Sequence, residues 1–355
     1  MTGRYPARTP VGLKEPLDWT PADSLVGLTP ATMSLPTLLR QRGYRTGLVG
    51  KWHLGFNPEQ GPLANGFDYF FGYKGGGVDY QLHTSPQGTT DLYENNRPAG
   101  DSGYLTDLLA DKAIAFIGKD RAAPFFLSLQ FSAPHWPWQG PDDPAYPNGN
   151  NAWKEGGSAE RYARMVMAMD RALGRVMQAL REQGRDTNTL VVFTSDNGGE
   201  RFSNMGQLRE RKFVLWEGGI RVPCIAYWPG HIRPGLVCRQ PITHMDWTAS
   251  FLAMAGTPAD DSLALDGKDI RPWLAHPELT ETRTFFWRVS QRNQQKAVRW
   301  GNWKLLQTEK GEFLFHLADD PTESHNLVRR KPGYARRLRN VLASWETSVL
   351  KPLPL

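Results

Sequence analysis

From residue 34 to residue 255 the chain alternates short apolar runs with stretches of helical spacing, and this alternation narrows the fold more than any other feature. Ser34 to Arg40 opens a helix with Pro36 in its first turn, and Gly43 stops it. Tyr44 to Val49 reads as a strand. Leu105, Leu108, Leu109, Phe116 and Ile117 keep helical spacing, and Pro124 to Phe131 is again an apolar strand. A longer helix is expected from Ala159 to Gln183, with Tyr162, Met165, Met169, Leu173, Val176 and Leu180 on one face and Gly184 after it. Leu190 to Phe193 reads as a buried strand, Val222 to Trp228 as another, and His244 to Ala255 as a helix. Residues 56–100 carry no sustained period and read as a long excursion. Strand alternating with helix predicts an α/β domain with a mostly parallel sheet between helices.

Near residue 258 the pattern changes. Thr284–Val289, Ala297–Trp300, Lys304–Leu306 and Phe313–Leu317 are short runs with close turns, and Pro332 to Leu350 is a last helix. The expected organisation is a catalytic α/β domain over 1–258 and, over 259–355, a small α+β subdomain with an antiparallel sheet.

Several function classes fall away on composition. Lys and Arg number 42 against 36 Asp and Glu, a net +6, but the basic residues are scattered and make no nucleic-acid footprint. No apolar run reaches the ~18 residues of a membrane span, and no signal peptide opens the chain. Two cysteines, Cys224 and Cys238, support neither a disulfide framework nor a Cys-rich zinc site.

Three polar clusters stand just past strand ends: Lys51 with His53, His135, and Asp196 with Asn197. In open α/β sheets the ligand crevice lies outside those ends, so the clusters are expected at one edge. Lys51 and His53, two apart on an extended segment, share a face. A cation beside an imidazole suits an anionic ester, though the pair also fits an ordinary surface. His135 sits on a Pro-bounded aromatic loop, a rigid place for a proton donor. Asp196-Asn197-Gly198-Gly199 is either a turn or a pair of hard oxygen ligands for Ca²⁺ or Mg²⁺.

Gly43-Tyr44-Arg45-Thr46-Gly47-Leu48-Val49-Gly50-Lys51-Trp52-His53-Leu54-Gly55 resembles the second signature of the sulfatase family, in the alkaline phosphatase superfamily. Ala133-Pro134-His135, Thr194 to Gly199, Arg211 to Pro223, and Asn302 to Leu305 with Leu317 to Pro321 resemble further family segments in the same order. Within the family the style is nearest to arylsulfatase B, an N-acetylgalactosamine-4-sulfatase. The resemblance implies an alkaline-phosphatase-like fold and hydrolysis of a sulfuric ester. It implies that Asp196 and Asn197 hold a divalent cation, Ca²⁺ first and Mg²⁺ as the alternative. It implies that Lys51, Lys212 and His135 bind sulfate, that His53 helps a nucleophile lose its proton, and that His135 protonates the leaving alcohol. Glu217 and Arg221 are read as a structural pair, and His83 as structural.

The family's first signature, C-x-P-S-R-x-x-x-x-T-G-R, carries the cysteine matured to formylglycine. Here Thr2-Gly3-Arg4 matches only its tail. The chain is therefore expected to be a sulfatase lacking its first strand, its nucleophile and the upstream metal-binding aspartates. A full-length form implies a formylglycine-generating enzyme as partner, a sulfated small molecule or carbohydrate as substrate, and a periplasmic or secreted location. Two rival readings stand beside it: a phosphoester or phosphonate hydrolase of the same superfamily, and an inactive residual sulfate-binding module.

Overall fold

The computed structural model describes residues 1–120, 122–146, 152–257, 261–290 and 293–352. They pack as two compact units.

The first unit gathers Met1–Arg4, Pro16–Thr189 and His244–Asp269. Its sheet contains β1 (Arg45–Lys51), β2 (Tyr69–Tyr73), β3 (Tyr93–Glu94), β4 (Arg97–Pro98) and β5 (Phe125–Gln130), in the order β4-β3-β2-β1-β5. β1 is parallel to both neighbours, with Val49 opposite Phe71 on one side and Leu129 on the other. β3 and β4 add an antiparallel edge. The unpatterned excursion thus contains a strand, β2. Phe70, Phe71 and Tyr73 are all fully buried, so β2 is covered on both faces and shows no period-two signal.

Ser34 caps the helix Leu35–Gln41, its hydroxyl accepting from Thr37 N. That helix buries Leu35, Leu38 and Leu39 with Leu252 of the helix His244–Met254, against Phe126 of β5. The helices Leu105–Gly118 and Ala159–Glu182 pack together, and the first also lies on β1. The carboxyl end of β1 is built from glycine. Gly50 has φ 117°, and a Cβ there would stand 1.9 Å from Gln130 O. Any other residue would force β5 away from β1 one position before Lys51.

The second unit gathers Tyr5–Glu15, Leu190–Thr243 and Ile270–Leu355. It contains an antiparallel pair, β6 (Val191–Thr194) and β7 (Cys224–Tyr227). It also contains a four-stranded antiparallel sheet, β8 (Thr284–Val289), β9 (Gln295–Trp300), β10 (Trp303–Thr308) and β11 (Gly311–His316), in the order β11-β10-β9-β8. The helix Pro332–Thr347 packs on β9 and β10. Leu215, Trp216, Ala297, Leu306, Phe315 and Leu317 form a core cluster.

The antiparallel sheet and closing helix stand where the sequence puts them. Residues 190–243 belong with them to the second unit. The reading of Leu190–Phe193 as a buried strand is corrected. β6 is half-buried, because among the described residues β7 is its one partner strand, and Ile225 and Tyr227 of β7 are themselves exposed.

Candidate functional site

Lys51 closes β1 opposite Tyr73. Beyond it Trp52 N donates to Tyr73 O (2.9 Å) and His53 N to Lys74 O (3.2 Å), so the segment stays tied to the continuation of β2. Trp52 is buried and its indole donates to Gln60 O at 3.0 Å. His53 has φ 51°, a left-handed conformation that a non-glycine residue adopts at a cost of roughly 1 kcal/mol. Its Nε2 lies 2.8 Å from Leu17 O. A carbonyl only accepts, so Nε2 carries the hydrogen and Nδ1 is the basic nitrogen of the neutral ring.

His135 lies between two cis peptides, Ala133–Pro134 and Trp136–Pro137. Its N donates to Ser132 O (2.9 Å), and its own carbonyl accepts from the Tyr80 hydroxyl at 2.9 Å. Nδ1 stands 2.6 Å from Trp136 O, so in the neutral ring Nε2 is the basic nitrogen. A buried network fixes the rest of the loop. Asp79 accepts from Gln139 Nε2 (2.9 Å) and Tyr146 N (2.8 Å), and Gln139 Oε1 accepts from Tyr80 N (2.9 Å).

Both imidazoles rest on one ridge of glycines. A Cβ on Gly76 would fall 2.8 Å from His53 Cε1, and one on Gly77 3.4 Å from His135 Nδ1. The ridge is clamped by Asp91, whose two oxygens accept from Lys74 N and Gly75 N, each at 2.9 Å. Sequence reasoning did not find Asp91 or this ridge. The signal was Gly75-Gly76-Gly77 directly after an apolar aromatic run, where backbone must pass close to something.

Burial pushes the Asp91 carboxyl up to about 6, against the pull of the two N–H groups and of Lys74. The sign follows from linkage. Between the ordinary carboxylate range and about 6 the folded chain holds a proton that the unfolded chain has lost. Raising pH through that window therefore removes stability, on the order of 3 kcal/mol in all. Asp91→Asn abolishes this titration. Urea midpoints of the two proteins from pH 4 to 7 are expected to shift relative to each other in that direction, and a pH-independent difference would sink the assignment.

The second unit carries the other three candidates. Asp196 is exposed and Asn197 half-buried, just past β6. Asn197 Nδ2 donates to Gly198 O (2.8 Å) and Ser195 Oγ to Asn197 O (3.0 Å). Gly198 N donates to Gly219 O (2.9 Å) and Lys212 N to Gly199 O (3.0 Å). A Cβ on Gly198 would meet Gly218 O at 1.8 Å. The structure thus stitches the Asp196–Gly199 loop to the segment bearing Lys212. Lys51, His53 and His135 belong to the first unit, and Asp196, Asn197 and Lys212 to the second.

The expected side-chain pair of Glu217 with Arg221 is corrected: Arg221 gives Glu217 only a backbone hydrogen bond, N to O at 2.8 Å. Glu217 Oε1 takes Lys304 Nζ at 2.9 Å, and the same ammonium takes Glu323 Oε1 at 2.8 Å. Glu323 Oε2 accepts from Glu217 N at 2.6 Å. All three side chains are almost wholly inaccessible. His83 is structural, as expected: it is buried, its Nε2 is 2.9 Å from Gly103 O, and burial lowers its pKa.

Asp196 and Asn197 offer three side-chain oxygens between them. Among the described residues no group of three or more His, Cys, Asp or Glu could hold a metal. Ca²⁺ takes about 6–8 oxygens, so this donor set does not by itself fit a resident cation. Calorimetry is expected to find Ca²⁺ binding weaker than about 100 μM. Micromolar binding abolished by Asp196→Ala would show that the ligand set is larger.

A mostly parallel α/β sheet between helices, with a separate antiparallel unit closed by a helix, defines an alkaline-phosphatase-like hydrolase fold. The Sulfatase family matches residues 1–257, and the N-sulphoglucosamine sulphohydrolase C-terminal family matches residues 208–345. The N-acetylgalactosamine-6-sulfatase of Sus scrofa is 30% identical over 393 residues, covering 96% of this chain and 73% of the relative. Arylsulfatase J of Mus musculus is 28% identical over 411 residues, covering 99% and 67%. The crystal structure of Ps i-CgsB in complex with k-i-k-neocarrahexaose superposes with a TM-score of 0.86 at 29% identity, covering 99% of this chain and 81% of that one. The chain belongs to the sulfatase family.

Proposed function

We propose that this chain carries the sulfate-binding and proton-transfer groups of a sulfuric ester hydrolase acting on a sulfated carbohydrate. One observation carries the reading: two imidazoles of defined tautomer rest on a single glycine ridge beside the lysine that ends β1. Lys51 and Lys212 hold sulfate oxygens. His53 relieves a nucleophile of its proton through Nδ1. His135, once protonated at Nε2, gives that proton to the departing alcohol. Asp196 and Asn197 contribute two of a cation's ligands, for Ca²⁺ or Mg²⁺. The 355 residues contain no C-x-P-S-R, and Cys224 and Cys238 lie in other contexts, so no residue of this chain is assigned as nucleophile. Formylglycine, made by its generating enzyme, supplies a nucleophilic oxygen where it is present. A carbohydrate substrate is favoured because an N-acetylgalactosamine-6-sulfatase and a neocarrahexaose complex are both among the similar proteins.

Calorimetry with 6-sulfated, 6-phosphorylated and unsubstituted N-acetylgalactosamine tests the proposal. The sulfate ester is expected to bind best, and Lys51→Ala to weaken it about 10- to 100-fold, the worth of one charge-assisted hydrogen bond. Equal binding of all three sugars, or preference for the phosphate, refutes it. Sulfate-ester binding without turnover fits the absence of C-x-P-S-R.

A further inference from the structure

In the proposed reaction the alcohol departs at His135, so side chains packed beside that ring face the leaving sugar. Trp136 is half-buried, its ring centroid 4.5 Å from that of His135 and the planes 42° apart. Lys154 Nζ stands over the Trp136 ring, 5.1 Å from its centroid. The ammonium therefore lies no more than about 10 Å from the His135 ring.

The turn that bears Lys154 is anchored on both sides. Trp153 before it is buried and meets Trp136 edge-on at 6.2 Å. Gly157 after it has φ 90°, and a Cβ there would fall 2.7 Å from buried Trp138. The neighbouring cations are already engaged: Arg161 and Arg164 both pair with Asp143, at 3.5 and 3.0 Å. Lys154 is exposed and makes no ion pair among the described residues. A lysine held on an indole keeps its charge outward while its stem covers apolar surface.

Resting on the sulfate-ester reading, we infer that Trp136 and Lys154 form a subsite for the leaving saccharide, in which Lys154 binds a second sulfate group carried by its neighbouring ring. The substrate class is then a multiply sulfated saccharide. A singly sulfated chain forgoes this contact.

Two probes separate this inference from the reading beneath it: a disaccharide whose N-acetylgalactosamine ring is 6-sulfated, and the same disaccharide with a second sulfate on the neighbouring ring. Calorimetry on the 355-residue chain is expected to show the disulfated form binding about tenfold tighter at low salt, the gap narrowing as ionic strength rises. Lys154→Met keeps the stem and removes the charge, and it should bring the two affinities together. Lys154→Arg should keep them apart. Equal affinities in the unaltered protein, or a gap that survives Lys154→Met, overturn the subsite and leave the sulfate-ester reading standing. Binding of neither disaccharide overturns both. Because Lys154 is exposed, an unchanged melting temperature verifies that each variant is folded.

Discussion

Lys304→Met is expected to destabilise the protein by about 3–5 kcal/mol at pH 7, the cost of removing one partner from a buried ion cluster. The ammonium sits 2.9 Å from Glu217 and 2.8 Å from Glu323, with none of its side chain accessible. Without it two carboxylates face one another in a core bounded by Leu215, Trp216, Leu306 and Phe315. Arg299 pairs with Glu217 at 4.0 Å but, among the described residues, not with Glu323, so it does not replace Lys304. Burial already pushes the Glu323 carboxyl above its usual range even with Lys304 opposing. In the variant that rise is larger, so the folded state gains from taking up a proton and the deficit should shrink as pH falls toward 5. Chemical denaturation of both proteins across that range measures it, and Lys304→Met/Glu323→Gln should regain part of the loss. A melting temperature within a degree of the unaltered protein would remove the cluster from any structural account.

The cluster matters beyond stability because of where Glu217 stands. It opens the helix Glu217–Ile220, five residues after Lys212, and its N–H is held by Glu323 at 2.6 Å. Gly218 N donates to Arg209 O (2.8 Å), and the guanidinium of Arg209 donates to Glu323 O (2.8 Å) while lying over the Trp216 ring. Glu323, in the turn after β11, thus holds both ends of the segment that presents a candidate sulfate-binding lysine, and Lys304 of β10 pairs with it. The C-terminal elements fix the segment bearing Lys212 as well as forming the core of the second unit.

The fold was largely legible because its main periods are plain. Ala159–Glu182, Leu105–Gly118 and the four strands of the antiparallel sheet carry amphipathic or alternating patterns that local burial enforces. β2 was not legible, since a strand buried on both faces lacks alternation. The antiparallel direction of β7 was not legible either, because the order of apolar runs says nothing of their sense. Lys51, His53 and His135 were legible as candidates because they end or follow strands and sit in specific motifs. Asp91 and the Lys304–Glu217–Glu323 cluster could not. Each joins groups 16 to 106 residues apart, and a buried ion pair leaves no mark in a sequence that also carries many exposed charges.

The chain alone is expected to release no nitrocatechol from 4-nitrocatechol sulfate, even when produced beside a formylglycine-generating enzyme, because none of its 355 residues stands in C-x-P-S-R. Fusing a relative's whole upstream segment, from its first strand and metal-binding aspartates through C-x-P-S-R-x-x-x-x-T-G-R, in register with Thr2-Gly3-Arg4 should give turnover. In the fused protein His135→Ala should slow alkyl sulfate esters about 10²- to 10⁴-fold, the usual worth of a positioned general acid. Nitrocatechol sulfate should suffer far less, since that leaving group departs without a proton. Lys51→Ala should slow both substrates about equally, by roughly 10²- to 10³-fold, because it steadies charge on the transferring sulfuryl oxygens whatever the alcohol. The split between the two variants separates proton donation from sulfate binding, which a loss of folding would not do. Rapid turnover by the chain as written would falsify the absence of a nucleophile, and equal losses on both substrates in His135→Ala would strip His135 of its role as acid.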